Sequence, residues 1–182
     1  MLTSLLPAEL LPHLPSREQG RESLLEALSS GQLLCSAYNA GIRRSRKPWG
    51  YINKDGVHDI VALEARQESP VRRPGTPDIS SDGDKKRVGW TFRRTDNIRL
   101  WAAALKLRYL IPLIGVPTDT STFGKTPSSP TSSHRFPAHV GPPIVFDARI
   151  IARKDQGWTD MLEETLFAWM DAVVEEMRGK RR

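Results

Sequence analysis

The stretch Leu28-Ser-Ser-Gly31-Gln-Leu33-Leu34-Cys35-Ser-Ala-Tyr38-Asn39 decides how this chain is read. Leu33, Leu34, Ala37 and Tyr38 recur at i, i+1, i+4 and i+5, the period of an amphipathic helix. Ser30 is placed to cap that helix, and Gly41 to end it in a left-handed conformation. Upstream, Ser16-Arg-Glu-Gln19 has the capping-box pattern and opens a helix with Leu24, Leu25 and Leu28 on one face. Downstream, Asn53 is expected to cap a short helix bearing Val57, Ile60 and Val61, with Ile52 and Val57 spaced as a hydrophobic staple.

A second periodic segment follows Trp90. Ile98, Trp101, Ala102, Leu105 and Tyr109 fall at i, i+3, i+4, i+7 and i+11, with Thr95 or Asp96 as cap and Pro112 as limit. Near the C-terminus, Asp147 caps a helix that Gly157 interrupts, and Thr159 caps the last one. That helix carries a stripe of Leu162, Leu166, Trp169, Val173 and Met177, and Gly179 lies just past its end. No segment alternates as a strand does. The predicted class is therefore all-α, a helical bundle with two loose insertions.

The insertions are residues 66–89 and 117–143, where Pro, Gly, Ser and Thr replace the apolar period. One helical domain is thus expected in three pieces, 1–65, 90–116 and 144–179, followed by a basic tail at 180–182. Its core is assigned to Leu28, Leu33, Leu34, Tyr38, Ile98, Trp101, Leu105, Leu162, Leu166 and Trp169.

Residues 28–39 resemble the "L-x-D-G-x-x-L-C-x-L-x-N" helix of calponin-homology domains, and Phe92-Arg-Arg-Thr-Asp-Asn97-Ile98-Arg-Leu-Trp101 resembles the later "F-x-x-x-x-N-I-x-x-F" helix. The closing segment 159–176 is similar to the family's last core helix in pattern only. Together these cover most of the chain outside the insertions. The resemblance implies a non-enzymatic cytoskeletal or signalling adaptor in the cytoplasm, with actin or tubulin as partner class. Four departures stand out. Ser30 occupies the position of the family's aspartate, the interval from Asn39 to Phe92 is long, the Pro/Ser-rich linker at 117–143 replaces a normally short connection, and one domain is expected where filament binding in the family usually uses a tandem pair.

Composition agrees with a packed domain carrying loose parts. The 182 residues are 38% hydrophobic with 14 prolines and 13 glycines, and five tryptophans argue against wholesale disorder. The net charge of +6 is uneven: residues 41–110 hold sixteen basic and eight acidic side chains, while 1–40 hold two and four. Three cationic runs carry the excess, namely Arg43, Arg44, Arg46 and Lys47; Lys85, Lys86 and Arg87; and Arg93, Arg94 and Arg99. Gathered on one face they would bind an acidic protein surface. The alternative is a small basic nucleic-acid-binding or chromatin-associated protein, for which Trp49 alone is a thin stacking platform. Trp49 reads instead as an anchor returning the chain to the core. A third reading, an anionic membrane surface, draws on Arg178 to Arg182.

Catalytic and metal chemistry find little support. There is no G-x-S-x-G elbow and no Walker-type loop, and Tyr51 and Ala62 stand where a calcium loop through Gly56 needs carboxylates. Cys35, the only cysteine, reads as a small buried hydrophobe. No enzyme, cofactor or metal site is expected. Ser69, Thr76, Thr126 and Ser129 each precede a proline inside the insertions and are candidate phosphorylation sites. A phosphate there would offset the basic excess and tune partner binding. The start, apolar but broken by Pro7, Pro12 and Pro15, reads poorly as a signal peptide, and no apolar run reaches the ~18–20 residues of a membrane span.

Overall fold

The computed structural model describes residues 6–68, 83–116 and 142–179, without the side chains of 17, 66–68 and 83–89. The α-helices are α1 (Gly20–Leu28), α2 (Gln32–Arg44), α3 (Ile60–Glu68), α4 (Gly83–Tyr109), α5 (Ala148–Arg153) and α6 (Trp158–Met177). Tight 3-10 turns cover Ala8–His13, Arg17–Gln19 and Lys54–Gly56. The chain is all-α, with one addition that alternation could not reveal. Leu113–Ile114 (β1) and Ile144–Val145 (β2) form a parallel pair, too short to show a period of two. Pro112, which has no N–H to give, supplies the carbonyl that accepts from Ile144 N at 2.9 Å.

Helix α4 is the hub, packing against α2, α3, α5 and α6. All ten residues assigned to the core are buried. Trp101 meets Trp169 edge-on at 5.8 Å, and Tyr38 meets Tyr109 edge-on at 6.2 Å, a favoured aromatic geometry. The α6 stripe buries Leu162, Leu166, Trp169 and Val173, but Met177 is exposed. Phe92, first residue of the second motif, is also exposed.

Several helix ends differ from the sequence reading, each for a local reason. Ser30 does not cap α2; its hydroxyl donates back to the Ala27 carbonyl. Gly31 occupies the cap, at φ +73°, because a Cβ there would stand 2.6 Å from Asn97 Cβ and 2.8 Å from Ile98 N. Gly41 lies inside α2, which runs on to Arg44 and so buries Ile42. Asn53 caps only the Lys54–Gly56 turn, through Asp55 N. Helix α3 begins later, where Asp59 Oδ1 accepts from Ala62 N at 2.9 Å. The Ser16 N–H donates to Gln19 Oε1, yet the turn it closes is 3-10 and α1 starts at Gly20.

Thr95 and Asp96 are interior to α4, which starts twelve residues before Thr95 at Gly83. The Thr95 hydroxyl donates to the Thr91 carbonyl, the interior alternative to capping. Residues 66–68 and 83–89, assigned to the first insertion, are therefore helical; 69–82 and 117–141 lie outside the described residues. Gly157, at φ +82°, caps α6 in place of Thr159. Asp147 does cap α5, accepting from Arg149 N at 2.7 Å, and Gly179 takes a left-handed φ of +71° past α6.

Gly31 and Gly157 share a left-handed backbone but not their surroundings, since a Cβ on Gly157 meets nothing within 4 Å. Gly157→Ala should cost about 1–2 kcal/mol in urea unfolding, the backbone penalty alone. Gly31→Ala should cost about 2–5 kcal/mol, because overpacking against α4 is added.

Candidate binding site

Arg108, in the last turn of α4, organises the basic stretch 43–50. Its guanidinium is 3% exposed and donates to the carbonyls of Lys47 and Trp49, to Ser45 Oγ and to Glu176 Oε1. Its Cζ also lies 5.2 Å from the Trp49 ring centre and 5.5 Å from that of Tyr109. Ser45 caps the end of α2 and donates to Glu176, and Tyr38 donates its hydroxyl to the Gly50 carbonyl at 3.0 Å. One buried cation thus fixes the loop whose own cations point outward. Arg43, Arg44, Arg46 and Lys47 are exposed. Trp49 is 54% exposed, which corrects its reading as a core anchor: Arg108, not the core, holds it.

The C-terminal ends of α2, α4 and α6 meet at this place, because Arg108 and Glu176 lie in the last turns of α4 and α6 and Ser45 caps the end of α2. Helix C-termini favour cations, so part of the charge has a structural use. Among the described residues, Arg43, Arg44, Arg46, Lys47, Lys106, Arg108 and Arg178 stand within one turn of the three ends against Glu175 and Glu176, an excess of +5. Three helix ends contribute about −0.5 each, which leaves a net charge of roughly +3.5. The dipoles therefore account for the smaller part.

The three cationic runs are not gathered on one face. Arg93 and Arg94 lie fifteen and fourteen residues before Arg108 on α4. That places them about 20 Å away along the axis. Arg94 is half-buried and pairs with Glu64 of α3; Arg99 pairs with Asp96 at 3.7 Å. Lys85, Lys86 and Arg87 sit on the first turns of α4, farther still, and their side chains lie outside the described residues. The 43–47 run adjoins a cleft of about 240 Å³ lined by Trp49, Arg108, Arg46, Lys47 and Gly179, whereas Arg94 of the third run lines a different cleft. Ser69, Thr76, Thr126 and Ser129 lie outside the described residues.

A larger cleft of about 390 Å³ has an apolar floor of Ala27, Leu33, Ile60 and Val61. Its rim charges cancel in pairs, Glu26 with Lys154 and Glu64 with Arg94. The hydrogen bond from Lys154 holds the Glu26 carboxyl below its ordinary value. Ser29 and Ser30 donate their hydroxyls to helix carbonyls, and no base activates them among the described contacts. Among the described residues no group of three His, Cys, Asp or Glu side chains could hold a metal, and no helix is long and apolar enough to cross a membrane.

Arg108, Ser45 and Glu176 were not singled out from the sequence. The one available signal was the place of Arg108 between the core positions Leu105 and Tyr109, on the flank of the buried stripe. Removing the charge of either partner should show how much the loop depends on it. Arg108→Met, Glu176→Gln and the double variant, compared by urea unfolding, should give a coupling energy of about 1–3 kcal/mol.

Cys35 is 1% exposed and donates to the Asn97 carbonyl, and burial pushes its thiol up to about 12. The unfolded thiol titrates near about 8.5. The stability linked to its raised value is complete below that pH and is lost as pH rises towards the folded value. Between pH ~7.5 and ~9.5 the wild type should lose about 1 kcal/mol more than Cys35→Ala in urea unfolding, and native Cys35 should resist iodoacetamide.

The chain matches no family model, no curated protein and no solved structure.

Proposed function

We propose that this chain is a non-enzymatic interaction module, a cytoskeletal or signalling adaptor of calponin-homology type that binds an acidic protein surface in the cytoplasm. One observation carries the reading: about +3.5 of charge at the junction of α2, α4 and α6 exceeds what the helix ends can use. A solvated helix end needs no such excess. The loop bearing it is held by Arg108 through several hydrogen bonds, so the cations are presented on a fixed frame. Preorganised charge lowers the ordering cost of association.

The motif resemblance gives this surface its partner class, actin filaments or microtubules, both acidic. In support, the two resembling segments pack on each other, Gly31 directly against Asn97. The exposure of Phe92 weighs on the other side, since a motif aromatic would be expected in the core.

Cosedimentation with actin filaments, microtubules and nucleic acid at two salt concentrations tests the proposal. Binding to one filament type should weaken as salt rises and drop at least about tenfold in a variant with Arg43, Arg44, Arg46 and Lys47 all changed to Ser. That variant should keep its helical circular dichroism. Binding to nucleic acid alone, with a steep salt slope, would sink the adaptor reading.

A further inference from the structure

We infer that the solvent face of α4 is a second docking surface, which takes an acidic amphipathic helix of a partner protein. The inference goes beyond the adaptor reading above, because it concerns a different face and stands without it. The buried side of α4 carries Ile98, Trp101, Leu105 and Tyr109. Its opposite side is not polar, as the outward face of a surface helix usually is. Phe92, Leu100, Ala103 and Leu107 fall within about 80° of one another at about 100° per residue. Leu107 lies fifteen residues after Phe92, about 22 Å along the axis. Phe92 is 64% exposed, and Leu107, at 76%, is the most exposed large hydrophobic residue among those described. Ala103 is exposed as well. Leu100 is half-buried beside the Lys54–Gly56 turn, where a Cβ on Gly56 would stand 3.6 Å from Leu100 Cδ1.

The charge on this face selects its occupant. Exposed cations follow both edges of the stripe, Arg93 on one and Arg99 and Lys106 on the other. Asp96, the only carboxylate of α4 between Phe92 and Leu107, already lies 3.7 Å from both Arg99 and His58. Lys54 and Asp55 of the adjoining turn cancel, so the face has a net charge of +2. A second copy would set like charge against like, which opposes self-pairing. A nucleic acid would suit the cations but leave Phe92 and Leu107 without apolar partners. A partner with an apolar stripe and acidic flanks satisfies both.

Spacing favours a helix over an extended segment. From Leu100 the stripe continues at i+3 and i+7, the pattern by which a helical partner is read. Successive contacts then follow the helical pitch of about 5.4 Å, whereas one face of a strand repeats every ~6.5–7 Å and drifts out of step. Ala103, small and set between Leu100 and Leu107, lets the backbone of a second helix approach closely. One four-turn face is smaller than the interface of about 1,200–2,000 Å² that a stable complex buries, so the contact is a transient one.

The test uses the full chain and fluorescence anisotropy with labelled three-heptad peptides at ~0.15 M salt. One carries Leu at positions a and d and Glu at e and g, so that its own charges keep it from pairing with itself. A second has Lys in place of each Glu, and a third has Ser in place of each Leu. The Leu/Glu peptide should bind at least about tenfold more tightly than either. Leu107→Ser should weaken it at least about tenfold, and Phe92→Ser at least about threefold. Both side chains are exposed, so helical circular dichroism should not change. Arg99→Glu combined with Lys106→Glu should also cost at least about tenfold.

Failure of the Leu/Glu peptide to bind, equal binding of the Leu/Lys peptide, or no loss in Leu107→Ser each overturns the inference. A loss confined to the variant with Arg43, Arg44, Arg46 and Lys47 changed to Ser seats the peptide at the junction of α2, α4 and α6; it overturns the inference and leaves the adaptor reading standing. A dimer in sedimentation velocity that Leu107→Ser dissociates overturns it in favour of a second copy. Leu107-dependent sedimentation with phosphatidylserine vesicles, in place of peptide binding, overturns it in favour of a lipid surface.

Discussion

The carboxamide of Asn97 holds together segments that the sequence keeps far apart. It is fully buried, it accepts from the His58 N–H at 2.8 Å, and it donates to the carbonyls of Ser30 and His58. A buried polar group left unpaired costs roughly 1–3 kcal/mol, so three segments must arrive together or none is satisfied. Gly31 makes the arrangement sterically possible, since any side chain there would enter the space of Asn97. Gln32 extends the same bracing by accepting from Val61 N and donating to Asp59. Asn39 repeats the device one helix length away, pairing both its amide atoms with the backbone of Ile52. Two asparagines thus act as short strand partners inside a helical protein.

These bonds explain what was legible in the sequence and what was not. The apolar period of residues 33–38 and 98–109 reports burial directly, so the core could be read from it. Helix ends could not, because local capping rules compete with tertiary contacts. Ser30 is a good cap by propensity, but the close approach of α4 requires a glycine with a left-handed backbone one residue later. Gly41 resembles a helix stop, yet burying Ile42 and bringing Ser45 to Glu176 favours one more turn. The early start of α4 was hidden because residues 83–89 show little apolar period.

The site shows the same division. The exposed cations were visible as composition, but their frame was not, because a buried arginine carries no periodic signal. Arg108 joins the ends of three helices and converts a charged loop into a shaped surface. Its neighbours Trp49 and Tyr109 contribute ring faces, so the same guanidinium serves hydrogen bonding in its plane and stacking across it. Separation along α4 excludes the run at 93–94 from this surface, and the Glu64 pair gives Arg94 a different occupation.

The clasp between Gly31 and Asn97 also sets a timetable for the nascent chain. The Ser30 carbonyl and the Asn97 amide that binds it are 67 residues apart. At about 5–20 residues per second, roughly 3–13 s pass between their emergence from the ribosome. During that interval α1 and α2 have no α4 to cover Leu28, Leu34 and Tyr38, so these apolar faces stay uncovered until the second motif is made.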